Sequence, residues 1–136
     1  MIITKAMIDA LRRKYSDQNI VLNPSDNPTE VVVELERDSG WRWGHALALI
    51  GSSEPHEHHR ITEHYVVLRG ELDLMVGEGV QPARTVRLSR KNPKPFVITP
   101  HQWHWARGVD QPALVLVFST PAWAPDDHFL RSDIRP

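Results

Sequence analysis

Short stretches with the character of β-strands recur from Thr29 to Ser119, and they constrain the fold more than any other feature of the chain. They are rich in apolar and β-branched side chains, and Gly, Pro, Asn and Asp separate one from the next. No helical pattern stands between them, which argues against alternating βαβ units. The sequence therefore predicts an all-β sandwich or barrel. The segments predicted as strands are 29–36, 41–50, 65–69, 72–76, 84–88, 95–99, 103–107 and 113–119. Gly70 and Glu71 separate 65–69 from 72–76, which predicts a hairpin there.

A single short helix is predicted ahead of the strands. Thr4 is suited to cap its N-terminus, because a hydroxyl can accept a hydrogen bond from the first turn. One apolar stripe on so short a helix predicts that it lies against the end or side of the sheet. A loop at 23–28, rich in Asn and Pro, follows it. The residues that recur at helical spacing are Met7, Ile8, Leu11 and Tyr15.

Length and composition limit the classes of protein to consider. The 136 residues suffice for one domain, with the helix and loop at 1–28, a barrel core at 29–120 and a tail at 121–136 that packs back on it. The net charge of −1 and the mixed signs along the chain exclude a basic surface for nucleic acid or membrane. The chain has no cysteine, so thiolate sites and disulfides are excluded. No leader pattern is present at the N-terminus, and a cytoplasmic protein is predicted.

Four of the eight histidines lie between Gly51 and Gly70. His56 and His58 are two residues apart, so both imidazoles project from one face of an extended strand. Glu63 follows at an odd separation, and the polar step between must turn or bulge if all three side chains are to converge. Two imidazoles and a carboxylate are ligands for a divalent transition metal. The candidate for a fourth ligand is His104, which follows a Pro-containing turn.

These residues give the chain a resemblance to the cupin family. The pattern Gly51…His56-x-His58-x4-Glu63-x6-Gly70 resembles the first cupin motif. The pattern Thr99-Pro100-His101-x-x-His104 is similar to the second, with Thr99 and His101 where that motif has proline and glycine. Gly108 stands where it has asparagine. The resemblance implies a single-domain cupin, a jelly-roll-type β-barrel whose interior holds one metal ion, Fe, Mn, Zn or Ni, on His56, His58, Glu63 and His104.

Further side chains are candidates for catalysis or substrate binding near such a metal. His45 shares a face with Trp43, Leu47 and Leu49, so it is predicted to face inward, as an acid/base group or as a core histidine. Tyr65 shares the face of Glu63 and either bonds a ligand or substrate or only packs there. His101 is interpreted as a turn residue or as an acid/base group at the mouth of the site. His59 is predicted to be solvated and His64 to lie outside the barrel. The candidates for substrate binding are Trp43, Trp103 and Arg60.

Three functions fit these residues. The first is a metal enzyme that acts on a small polar metabolite, a sugar, sugar acid or keto acid, by isomerase-like chemistry. The second is an iron-dependent dioxygenase, and the third is a non-catalytic module that binds a metal or small ligand. Four ligands leave positions open on a metal that accepts five or six, which suits the first two. Val66 and Leu68 are apolar on the face opposite Glu63, which predicts a covering helix or a second subunit, and hence a homodimer.

Overall fold

The computed structural model describes residues 2–22 and 28–134, which form one α-helix, eleven strands and a short 3-10 helix. The all-β prediction is confirmed. Residues 23–27, part of the predicted loop, lie outside the described residues. The elements are α1 (Lys5–Lys14), β1 (Asn19–Leu22), β2 (Glu30–Arg37), β3 (Gly44–Ile50), β4 (His56–Glu57), β5 (Thr62–Arg69), β6 (Glu71–Glu78), β7 (Arg84–Ser89), β8 (Phe96–Ile98), β9 (Gln102–Gly108), β10 (Ala113–Thr120), a 3-10 turn (Pro125–Asp127) and β11 (Phe129–Leu130).

The strands form two antiparallel sheets that enclose the barrel interior. One sheet has the order β1-β2-β3-β10-β5-β8, and the other has the order β11-β4-β9-β6-β7. Side chains that alternate along each strand fill the space between the sheets, because successive residues of a strand point to opposite faces. The buried interior residues are Ala48, Ile50, Tyr65, Val67, Leu72, Leu74, Val76, Leu88, Ile98, Ala106, Ala113 and Val115.

The helix α1 covers part of the outer face of the six-stranded sheet, as its apolar stripe predicted. Thr4 caps it, since its Oγ1 accepts a hydrogen bond from the backbone N–H of Met7 at 3.3 Å. Ile8 and Leu11 are buried, and each such side chain contributes about 1.5–3 kcal/mol of stability. They pack, with Ile3, on residues of β2 and β3 that point away from the interior: Val31, Val33, Leu47 and Leu49.

This packing reverses one prediction. Leu47 and Leu49 are core residues, but they belong to the cluster under α1 and not to the barrel interior. Trp43 and His45 share their face, so the prediction that these two side chains point inward is wrong. The reason is that β3 is apolar on both faces, since the helix covers one and the opposite sheet covers the other. Alternation alone then cannot say which face is the interior.

Gly70 is a corner between the sheets, which corrects a second prediction. The sequence predicts a hairpin about Gly70 and Glu71, but β5 pairs with β10 and β8 while β6 pairs with β9 and β7. The two strands therefore lie in different sheets. Gly70 adopts φ +79°, a conformation that glycine reaches without steric cost, at the point where the chain leaves one sheet.

The C-terminal segment returns to the barrel. After the 3-10 turn, β11 pairs with β4, so that Phe129 lies opposite Glu57 and Leu130 opposite His56. The segment thereby extends the five-stranded sheet at its edge. No helix in the described parts of the chain has the length and apolar character needed to cross a membrane.

Candidate metal centre

Four side chains converge from three strands and one loop. His56 lies on β4, His58 follows it, Glu63 begins the inward face of β5, and His104 lies on β9. His56 and His104 are direct partners across the β4–β9 pairing. One ligand atom from each of the four lies within 4.8 Å of those of the others. The structure therefore brings together the whole predicted ligand set.

A buried carboxylate holds the turn that this convergence requires. Asp127 is only 2% exposed. Its carboxylate accepts hydrogen bonds from the backbone N–H groups of His59, Arg60 and Ile61 at 2.8, 3.1 and 3.1 Å. These three donors lie in the segment between His58 and Glu63. This segment must turn if both side chains are to converge, because the two residues are an odd number of positions apart. The segment after β10 therefore sets the conformation of the loop that carries the ligands.

The three imidazoles share one orientation. In each, Nδ1 lies within hydrogen-bond distance of a backbone carbonyl: Glu54 at 2.8 Å for His56, Asp127 at 2.6 Å for His58, and Gln102 at 3.2 Å for His104. A carbonyl can only accept, so Nδ1 carries the proton and Nε2 presents its lone pair. Fixing the ring and its tautomer through the other nitrogen is how metal-binding histidines are usually held.

The atoms at the centre have the environment of a ligand set. Nε2 of His58 and Nε2 of His104 each lie 3.2 Å from Oε1 of Glu63. These three buried atoms make no hydrogen bond of good geometry within the described structure. Buried polar atoms rarely lack a hydrogen bond, because nothing then compensates for the hydrogen bonds to water that burial removes. Separations near 3.2 Å suit neighbouring ligands on a cation with bonds of about 2.0–2.2 Å, so the residues fit a divalent transition metal.

The charges of the site favour a cation. Burial raises the pKa of Glu63, but the adjacent His104 and His58 outweigh this effect and hold the pKa below its usual range. Glu63 is therefore a carboxylate at neutral pH. Burial, with the nearby His104, lowers the pKa of His56 well below its ordinary value, so that ring stays neutral. The buried negative charge of Glu63 attracts a divalent cation.

Two further polar side chains face the same interior. Tyr65 is buried, and its ring lies edge-on to that of His104 at 6.3 Å. Burial, followed by the charges of Glu63 and Glu30, raises its pKa well above the usual value, so the phenol keeps its proton. Glu30 lies opposite the interior residue Ile50. Burial, Glu63 and Glu54 raise the pKa of Glu30 to about 7.

His128 marks the side of the site that is nearest to solvent. Its ring stacks on that of His56 at 4.5 Å and lies 5.7 Å from that of His58. The side chain is exposed, whereas His58 and His104 are buried. A molecule that reaches the ligand set from this side therefore passes His128.

Three of the predicted site residues lie away from the ligands, on the outer faces of the sheets. His45 lies near the backbone carbonyl of Glu36 and contacts the ring of Trp43. Trp103 pairs with Gly77, whereas its neighbour His104 pairs with the interior residue Val76. Trp103 nevertheless is buried, because its ring covers Gly77, where any Cβ would collide with it.

His101 and Arg60 are also directed elsewhere. His101 adopts φ 69°, and its N–H donates to the carbonyl of His58 at 2.7 Å, which fits its interpretation as a turn residue. Its exposed ring approaches Glu57 and not the four ligands. The guanidinium of Arg60 lies 3.0 Å from the carboxylate of Asp126, and both side chains are exposed. His64 lies on the outer face of β5 against Phe118, as predicted.

Comparison with known proteins supports the fold. No protein-family model matches the chain, and no curated protein matches its sequence. Solved structures match it well. KdgF from Halomonas sp. has 16% identity and a TM-score of 0.63, over 80% of this chain and 93% of that one. An L-ribose isomerase from Cellulomonas parahominis has 18% identity and a TM-score of 0.61, over 74% and 69%.

Two larger proteins contain a similar unit. CapF from Staphylococcus aureus, a capsular polysaccharide assembling protein, has 15% identity and a TM-score of 0.66, over 82% of this chain but only 31% of its own. Fe(II) HppE has 15% identity and a TM-score of 0.67, over 77% of this chain and 57% of its own. The chain thus spans about a third of CapF. The two sheets, the ligand set and these matches together identify the chain as a small protein of the cupin fold.

Proposed function

We propose that the chain is a mononuclear metal-dependent enzyme that acts on a small polar metabolite, such as a sugar, sugar acid or keto acid, by isomerase-like chemistry. The observation that carries the proposal is the set of buried, unbonded Nε2 and Oε1 atoms on His58, His104 and Glu63. Structural zinc sites are closed by their protein ligands and distant from solvent. Here the exposed His128 stacks on the ligand His56, and a substrate or water would reach the ligand set from this side.

The interior supplies groups that can move a proton. A divalent metal bound to the four ligands would act as a Lewis acid toward a carbonyl or hydroxyl oxygen. Tyr65, which stays protonated, can donate a hydrogen bond to a substrate oxygen. Glu30 faces the same interior and titrates near neutral pH, which suits a general base. These two residues would take the acid/base role predicted for His45 and His101, whose rings contact Trp43 and Glu57 and not the ligand set.

An iron-dependent dioxygenase is the second candidate. It would use the same four ligands, and the fold does not decide the chemistry. Both the isomerase and the dioxygenase proposals have a neighbour of similar fold. These are an L-ribose isomerase whose structure contains L-ribose, and HppE in its Fe(II) form. A non-catalytic binding module is the third candidate. It would be favoured by an interior filled with aromatic rings, but Trp43 and Trp103 lie outside the barrel.

We also propose that the chain forms a homodimer. Val66, Leu68 and Val97 are 36%, 40% and 44% exposed on the outer face of β5 and β8. The helix α1 covers the β2–β3 side of that face and leaves these three apolar side chains to solvent. The sequence left two candidates for the cover of Val66 and Leu68, a helix or a second subunit, and α1 packs on the β2–β3 side instead.

The test of the metal enzyme is the metal content of protein purified without a histidine tag. The interior site predicts a transition metal bound per chain. His58→Ala removes one ligand and its Nε2, so the affinity of the site should fall by at least about 100-fold while the barrel stays folded. His45→Ala, which removes a histidine from the outer face, is the matched control and should keep the metal.

The identity of the metal then directs the activity assays. Iron would favour the dioxygenase and oxygen-uptake measurements, whereas manganese, zinc or nickel would favour isomerisation assays on sugars and sugar acids. If wild-type protein takes up no metal even when it is added, the catalytic proposal is wrong. If His58→Ala keeps a full complement, the ligand assignment is wrong.

A further inference from the structure

We propose that the chain has a second divalent-cation site, of the zinc type, on the outside of the five-stranded sheet, formed by Glu57, His59 and His101. Glu57 is adjacent to His56 on β4, so its side chain leaves the strand on the opposite face. The second site is therefore separate from the interior ligand set. It follows from its own geometry and does not depend on the proposed activity.

The ligand atoms of these residues already lie at coordination spacing. Oε2 of Glu57 is 3.2 Å from Nε2 of His59 and 3.8 Å from Nδ1 of His101. One ligand atom from each of the three residues lies within 4.8 Å of those of the other two. Imidazole nitrogens and one carboxylate oxygen are ligands that Zn²⁺ takes with bonds of about 2.0–2.2 Å. A single ion can thus contact all three atoms after a small adjustment of the side chains.

His101 occupies a backbone position that does not favour a histidine. Its φ of 69° lies in the left-handed region, where glycine is the residue without steric cost. The strain is held by the hydrogen bond from its N–H to the carbonyl of His58. A side chain on a strained backbone position motivates a functional hypothesis for that side chain. Here the conformation turns the imidazole toward Glu57.

The neighbouring charges leave the site negative. Nη1 of Arg131 binds the other oxygen of Glu57, Oε1, at 2.7 Å and leaves Oε2 to the imidazoles. The same guanidinium contacts both carboxylate oxygens of Asp133 at 2.9 and 2.8 Å. Two carboxylates and one guanidinium sum to −1, which attracts a divalent cation. A hydrogen-bonded partner behind a ligating carboxylate is the usual arrangement in metal sites.

The rings are held in place, yet they remain accessible. His59 is stacked between Phe129, at 3.9 Å, and His101, at 4.7 Å. The side chains of His59 and His101 are 41% and 68% exposed, whereas that of Glu57 is 13% exposed. An ion can therefore enter from solvent without any opening of the barrel. Water would complete its coordination, since the protein supplies three ligands.

Zinc uptake by the full chain tests this site. Protein stripped with a chelator is incubated with Zn²⁺, passed through gel filtration, and its zinc is measured per chain. We expect two equivalents for the wild type and one for His59→Ala and for His101→Gly. Affinity at the second site should fall at least tenfold in these variants, because even partners outside the ligand set matter to that degree. His45→Ala is the control histidine variant and should retain two.

The variant His101→Gly separates loss of a ligand from loss of the fold. Glycine suits the left-handed conformation, so the thermal midpoint of the zinc-free variant should equal or exceed that of the wild type. His58→Ala removes the interior site instead, and it should retain one zinc that His101→Gly then abolishes. If the wild type binds only one equivalent of zinc, and His58→Ala is the only variant that loses it, the proposal of a second site is wrong. Two equivalents that persist in both His59→Ala and His101→Gly would overturn it as well.

Discussion

Alternate residues of one short run, 56–59, belong to two groups of histidines and carboxylates, and these groups differ in almost every physical respect. His56 and His58 point inward to a buried set whose rings are fixed by backbone carbonyls. Glu57 and His59 point outward to an accessible set whose carboxylate is held by Arg131. The strand and the turn that follows it sort neighbouring residues to two faces. The comparison shows that the residue types indicate that each group can bind a metal. Burial decides whether the bound metal would lie in the interior or be open to solvent.

Replacing Asp127 should have the largest effect, because this residue supports both groups. Asp127→Ala removes the acceptor of three backbone N–H groups, among them that of His59. We expect a loss of about 3 kcal/mol in the free energy of unfolding and a fall of about 10–100-fold in interior metal affinity. Urea denaturation measures the free energy of unfolding, and metal titration measures the metal affinity. Asp126→Ala, an exposed neighbouring carboxylate, is the control. Equal effects of the two substitutions would contradict the role of Asp127.

Replacing Glu30 should affect only the interior. In the folded protein its pKa is about 7, above the usual 4.5, so the folded state binds the proton more tightly than the unfolded state. The stability of metal-free wild type should therefore fall as the pH rises from about 4.5 to 7, by at most about 3 kcal/mol. Glu30→Gln cannot lose a proton, and its stability should change less over this window. Urea denaturation at pH 5 and pH 8 measures the change in stability of each protein. An equal change in wild type and Glu30→Gln would refute the prediction.

Replacing Arg60 should affect neither group. Its guanidinium pairs with Asp126 where both side chains are exposed, and such pairs contribute less than about 1 kcal/mol. Arg60→Ala should leave metal content unchanged and alter the free energy of unfolding by about 0.5 kcal/mol or less. Should it lower the affinity for a substrate once one is found, Arg60 would return to the binding role that its position in the sequence suggested.

The ligand set and most strands were predictable because their signals are local. The spacing of His56 and His58, the need for a turn before Glu63, and the position of His104 after a Pro-containing turn all appear in the sequence. So do the strand patterns, which match observed strands to within a few residues. Strands β1 and β11 were not predicted, and β4 was expected only as the extended pair around His56 and His58, because such short segments carry little periodicity.

The remaining parts depend on contacts between distant residues. Asp127 lies 68 residues from His59, and nothing in its local sequence indicates that its carboxylate binds that loop. Alternation along β2 places Glu30 on the face opposite Val31 and Val33, and that face is the interior because the helix covers the valines. His128 reaches the ligands only because β11 pairs with β4. No periodicity in a single sequence encodes these pairings.

The distance between Asp127 and its loop has a consequence for how the protein is made. The ligands at 56–63 leave the ribosome well before Asp127, and at about 5–20 residues per second the interval is several seconds. During that interval the nascent chain has the histidines but not the carboxylate that orders their loop. We therefore expect the interior site to acquire its metal only after residue 127 has been synthesised.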